Sequence, residues 1–133
     1  MKTVSKIIES HGGLQWLRQS GNYIRLENPP YMWLVIEYIG DGPRGLPSIS
    51  VAHYYEQDGD AMRDPEMVFE LDGQNWLPVS YLQDNLGIYQ EAVILDGQVR
   101  INPKLVDELS TFARQWDKNI ADQGFLKVQS VTR

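Results

Sequence analysis

Two runs of alternating residues meet at Asp58-Gly59-Asp60, and no other stretch constrains the fold of this chain so tightly. On the first run Ile49, Val51, His53 and Tyr55 share one face, while Ser50, Ala52, Tyr54 and Glu56 share the other. Side chains separate this way along an extended strand. The return run puts Met67, Phe69 and Leu71 on one side, with Glu66, Val68 and Glu70 opposite. Asp-Gly is a strong two-residue hairpin turn, so residues 46 to 71 are expected to form one long hairpin. Pro65 qualifies this: the return arm either joins the ladder after it or carries it at an edge or a bulge.

The flanking segments extend the same logic. Residues 23 to 27 alternate like a strand that Asn28-Pro29-Pro30 ends. Residues 31 to 39, apolar on both faces apart from Glu37, read as a central strand. Further strands are expected over 76 to 82, 88 to 95 and 99 to 101, with Gln83-Asp84-Asn85 and Asp96-Gly97 as turns. At the amino end Thr3 reads as an N-cap, followed by the stripe Val4, Ile7, Ile8; Gly12-Gly13 interrupts it before a second short helical piece. The best-specified helix starts at Asn102-Pro103. It carries Leu105, Val106, Leu109, Phe112, Ala113, Trp116 and Ile120 along one stripe and ends at Gly124, with Phe125 folding back. Strands flanked by helices at both ends imply an α+β fold: an antiparallel sheet of five or six strands with the amino- and carboxy-terminal helices packed on one face.

A chain of 133 residues, 42% hydrophobic, fits a single domain (1 to 133) able to bury about two thirds of its unfolded surface, with residues 126 to 133 as a loosely held tail. The absence of cysteine removes disulfides, thiolate metal sites and cysteine nucleophiles. The longest apolar run, MWLVI at 32 to 36, is too short to cross a bilayer, and the first residues lack the pattern of a signal peptide, so a cytoplasmic location is expected. The formal net charge of −6 is unevenly distributed. Residues 56 to 96 hold ten carboxylates and one cation, Arg63, whereas both flanking segments are slightly basic. Gathered on one face, that segment would repel nucleic-acid phosphate and attract a basic protein surface; the plainer reading is a solvated surface that keeps a small domain soluble.

Motifs for specific chemistry fail on context. Gly40-Asp41-Gly42-Pro43-Arg44-Gly45 matches G-x-G-x-x-G, but no helix begins within it to aim N–H groups at a pyrophosphate, so it reads as a loop joining strands. Asp58, Asp60, Asp64 and Glu66 miss the spacing of an EF-hand loop, although a Mg²⁺ ion held by two carboxylates stays open. His53 shares its face with apolar residues and reads as a hydrogen-bonded core histidine; His11, beside Gly12-Gly13, reads as a helix-end residue. Arg63 reads as a neutralising partner for Asp60, Asp64 or Glu66. The chain has no G-x-S-x-G, no G-x-x-x-x-G-K-[ST], no H-E-x-x-H and no Glu followed two residues later by Lys. No catalytic residue, cofactor or metal is assigned.

The stretches ENPPYM (27 to 32), VIEYIGDGPRGLPSISVAHYYEQDGDAMRDPEM (35 to 67) and FARQWDKNIADQGF (112 to 125) resemble a family of small, functionally uncharacterised proteins of bacterial plasmids, conjugative elements and phage-related DNA. The resemblance brings no catalytic residues. In that family position 58 is often Asn, which favours a turn role there over a metal ligand. Taken with the charge, it implies a non-enzymatic accessory protein of a mobile element or phage. Its acidic surface would bind a basic or nucleic-acid-binding protein, as a host-defence (anti-restriction or anti-CRISPR) inhibitor would, without contacting nucleic acid or membrane. The residues expected at that surface are Tyr54, Glu56, Asp58, Asp60, Arg63, Asp64, Glu66 and Glu70. The alternative is a metal-assisted hydrolase or nucleotide-binding enzyme built on the 53 to 66 cluster, and a third is a ligand-binding or self-associating domain using the tyrosine-bearing sheet face.

Overall fold

Asp58 and Gly59 both take positive φ, 54° and 85°, and Gln57 faces Asp60 across the ladder. This is the two-residue turn whose twist matches that of the strands it joins. It connects β3 (Pro47–Gln57) to β4 (Asp60–Asp72), the long hairpin expected from the alternation. The computed structural model describes residues 1 to 130. Around the hairpin lie β1 (Ile24–Leu26), β2 (Trp33–Asp41), β5 (Asn75–Gln83) and β6 (Ile88–Glu91). The six strands form one antiparallel sheet in the order β1-β2-β3-β4-β5-β6, each beside its neighbour in the chain.

Register separates the two faces. Ile24, Ile36, Val51, Met67, Tyr81 and Gln90 form one row across all six strands; Arg25, Val35, Ala52, Glu66, Leu82 and Tyr89 form the adjacent row on the opposite face. The first row faces the core, where Ile24, Ile36, Val51 and Met67 are fully buried. Each such side chain withdraws enough apolar area to contribute about 1.5–3 kcal/mol. Pro65 proves to lie inside the ladder at a bulge: Ala52 pairs with Glu66 and Tyr54 with Arg63, so β4 carries one extra residue there. The return arm therefore joins the sheet at Asp60, before the proline. The bulge supplies the gap in hydrogen bonding that proline requires.

The helices α1 (Lys2–Ser10), α2 (Gly13–Leu17) and α3 (Pro103–Asp122) cover the core face. Asn102 caps α3 through its side-chain oxygen, which accepts from the Leu105 N–H at 3.1 Å. Past Gly124, Phe125 is fully buried, and its ring and that of Trp116 lie 5.7 and 5.5 Å from His53. Thr3 is not the N-cap of α1. The helix begins at Lys2, and the carboxylate of Asp117 on α3 accepts from the N–H groups of Thr3 (3.0 Å) and Val4 (3.2 Å), so a distant residue does the capping.

The expected strand over 88 to 95 divides at Ala92. Its N–H donates to Val79 O (2.7 Å), and its carbonyl accepts from Asn102 N–H (2.8 Å). Beyond this corner β7 (Val93–Leu95) pairs with β8 (Val99–Ile101) in a separate two-stranded sheet. Of the expected tail, Phe125–Lys127 forms a 3₁₀ turn, and Ser130 Oγ accepts from Arg25 N–H at 3.1 Å and donates to Arg25 O at 3.3 Å. Residues 131 to 133 lie outside the described residues. Among the described residues no helix is long and apolar enough to cross a membrane.

Candidate functional site: the open sheet face and the hairpin end

With the helices on one side, the opposite face of β2, β3 and β4 is left open. Small side chains floor it: Ala52 and Ser50 are buried between taller neighbours. Trp33 pairs with Tyr54, Val35 with Ala52 and Glu37 with Ser50, which sets an aromatic and carboxylate border along β2 and β3. Across the floor Ser50 Oγ donates to Glu66 Oε2 at 2.7 Å. On the Glu66–Glu70 side of the bulge the expected register holds, and alternation puts Tyr54, Glu56, Glu66 and Glu70 on the face away from the helices, although Glu70 is buried there.

Arg63 organises the side nearer the hairpin end. Because of the bulge, Arg63 and Glu66 fall on the same face although three residues apart. Arg63 Nη1 donates to Glu66 Oε1 at 3.3 Å, and Nε and Nη2 donate to the two oxygens of Asp84 at 3.0 and 3.2 Å. The Arg63 backbone N–H adds a fourth bond, 2.8 Å to Asp84. Bonding to Arg63 lowers the Asp84 pKa and raises that of Arg63. Asp84 is thus the principal partner, where the sequence pointed to Asp60, Asp64 or Glu66. The 3₁₀ turn over Asp84–Leu86 delivers it, and Gln83-Asp84-Asn85 had signalled only a turn.

Burial raises the Tyr54 pKa, and the charges of Glu66 and Glu37 raise it further. Tyr23, Arg25, Trp33, Val35, Glu37 and Tyr54 line a shallow, open cleft of about 320 Å³. Arg25 lies over the Trp33 ring, its guanidinium carbon 3.9 Å from the ring centroid, and pairs with Glu27 at 2.8 Å. Sequence reasoning missed Arg25, Trp33, Glu37 and Asp84. Glu37 did carry a signal, as the one charge in an otherwise apolar strand.

The remaining sequence-assigned residues do not converge. Glu56, Asp58 and Asp60 are exposed at the hairpin end, and among the described residues no ion pair reaches them. Asp64 turns toward the helix side, where its charge adds to the burial that raises the Tyr81 pKa and only partly offsets the burial that lowers that of His53. Glu70 is fully buried. Arg44 Nε donates to it at 2.6 Å, Arg44 N–H at 2.7 Å and Leu46 N–H at 3.2 Å. The glycine-rich loop over 40 to 45 joins β2 to β3 as expected, and the anion its backbone meets is this internal carboxylate. A Cβ on Gly42 would lie 2.7 Å from Glu70 Oε2, so only glycine allows this approach.

The acidic segment is therefore not one continuous surface. Glu70 is sealed, Asp72 ends β4 opposite the hairpin turn, and Asp96 sits near Arg100 in the second sheet. Among the described residues of this segment Glu56, Asp58, Asp60, Asp72 and Glu91 are exposed without an ion pair; the first three gather at the hairpin end, while Asp72 and Glu91 end β4 and β6. His53 is a core histidine: Nδ1–H donates to Trp33 O at 3.2 Å, and burial lowers its pKa. His11 ends α1, its Nδ1 bonded to Ile7 O at 2.7 Å. Among the described residues no three His, Asp or Glu side chains gather as a metal site.

No curated protein and no solved structure matches the chain. Residues 2–126 match a family described as a domain of unknown function, DUF6908. That match spans the amino-terminal helices, both sheets and the long carboxy-terminal helix, so the chain belongs to the DUF6908 family.

Proposed function

We propose that this chain is a non-enzymatic accessory protein of a mobile element or phage. In this reading it acts in the cytoplasm, binding a basic, nucleic-acid-binding protein and occupying that protein's nucleic-acid surface, as an anti-restriction or anti-CRISPR inhibitor does. The observation that carries the reading is the exposed group Glu56, Asp58 and Asp60. Among the described residues these carboxylates have no cation to neutralise them, and they stand beside a face rich in aromatic and carboxylate side chains. Their field and the net charge of −6 favour a basic protein and oppose phosphate.

The test is capture from a bacterial lysate on immobilised protein at low and at physiological salt, with the variant E56K/D58K/D60K alongside. The reading expects a basic protein retained at low salt, released as salt rises and absent from the variant. A partner held equally by the variant, or retained independently of salt, contradicts it.

A further inference from the structure

We infer that the cleft between β1, β2 and β3 receives an arginine side chain of the partner, stacked against Tyr54 and Trp33 with its guanidinium toward Glu37. The inference rests on the binding function proposed above and names the group that function recognises.

Three observations carry it. First, the cleft of about 320 Å³ has room for a side chain, and Trp33 and Tyr54, directly opposite each other on β2 and β3, supply ring surface for a flat cation. Second, the indole of Trp33 already binds a guanidinium on one face: the chain's own Arg25 stacks there, its guanidinium carbon 3.9 Å from the ring centroid, which leaves the Tyr54 ring and the Glu37 carboxylate for an incoming one. Arg25 is neutralised by Glu27 at 2.8 Å, so it adds little repulsion. Third, the charges are complementary. Around the open face Glu27, Glu37, Glu66 and Asp84 stand against Arg25 and Arg63, and Glu37 is exposed with no ion pair among the described residues. Arginine fits better than lysine because a planar guanidinium can stack on a ring while bonding a carboxylate in its own plane. An acidic or phosphate-bearing ligand would meet Glu37 at the entrance.

The test is a titration with a capped tri-arginine peptide, its isosteric tri-citrulline counterpart and a tri-lysine peptide. It follows the backbone amides, the Trp33 indole N–H and the Tyr54 ring by nuclear magnetic resonance. The expected result is saturable shifts at both residues with tri-arginine, at least about tenfold weaker binding of citrulline, and about fivefold weaker binding to E37Q. Because Glu37 is exposed, E37Q should fold normally. The variant E56K/D58K/D60K should keep the shifts at Trp33 and Tyr54. Equal shifts with arginine and citrulline, or none at millimolar peptide, overturn the inference; stronger binding of lysine overturns the choice of guanidinium. Shifts confined to residues 56 to 60 overturn the cleft and leave the acidic-surface reading standing. Cleft shifts in a protein whose partner ignores the hairpin variant do the reverse.

Discussion

The carboxylate of Asp117 accepts from the backbone N–H of Thr3, 114 residues away in the chain, and so closes the amino end of the first helix with a side chain of the last. The bond lies within the core shared by α1 and α3, where Thr3 and Asp117 are both buried. Asp117→Ala should leave the first N–H groups of α1 without an acceptor and cost about 2 kcal/mol. Asp117→Asn keeps one oxygen acceptor and should lose about half as much. Urea unfolding of the two variants distinguishes these outcomes, and equal stability of wild type and Asp117→Ala would refute the tie.

Glu70 and Arg44 make a second long-range prediction. Arg44→Ala removes the one side-chain cation that, among the described residues, is bound to the fully buried Glu70 carboxylate, although the Arg44 and Leu46 N–H groups remain. Because the Arg44 side chain is partly exposed, the loss should be about 2 kcal/mol, below that of a wholly buried pair. Gly42→Ala should destabilise by a similar amount because its methyl group would sit within 2.7 Å of the Glu70 carboxylate. Melting temperatures of the two variants and of Glu70→Gln provide the measurement.

The structure also predicts a pH dependence. Burial lowers the folded-state pKa of His53, so the unfolded chain takes up the proton first as pH falls. The protein should therefore lose stability as pH drops below about 6.5, by at most about 1.4 kcal/mol per unit, levelling off once the folded form also protonates. Asp84, whose pKa Arg63 lowers, is fully stabilising above the ordinary carboxylate pKa. Its contribution fades only in more acidic solution, as pH falls through its folded-state value. Replacing His53 by Gln should flatten the slope between pH 5 and 7 in urea unfolding, whatever it does to absolute stability. An unchanged slope would show that His53 is not the group responsible.

The Arg63–Asp84 pair lies at the edge of the open face, with both side chains partly exposed. A double-mutant cycle with Arg63→Ala and Asp84→Asn should return a coupling of about 0.5–1 kcal/mol that shrinks in high salt. Coupling near zero would mean that the guanidinium does not hold the 3₁₀ turn.

Much of the fold was legible because its determinants are local. Alternation from Ile49 to Leu71 specified both faces of the hairpin, Asp58-Gly59 its turn, and Asn102-Pro103 with Gly124 the limits of the last helix. What escaped depends on contacts between distant segments. Nothing near Thr3 announces Asp117, and nothing near Glu70 announces the loop that buries it. The bulge at Pro65 had a second effect: one extra residue changes which side chains share a face, so Arg63 joins Glu66 while Asp64 turns toward the helices. For that reason a run of carboxylates in sequence did not become a continuous surface. The cleft was hidden for the complementary reason: Arg25, Trp33, Glu37 and Tyr54 come from three strands and meet only through register.

The most direct measurement of the central claim is the affinity of the captured partner for wild type and for E56K/D58K/D60K, by calorimetry at about 50 and 150 mM salt. Electrostatic recognition through the hairpin end predicts that wild-type binding weakens severalfold across that range, and that the variant binds at least about tenfold more weakly at the lower salt. Equal affinities for the two proteins, unchanged by salt, would contradict it.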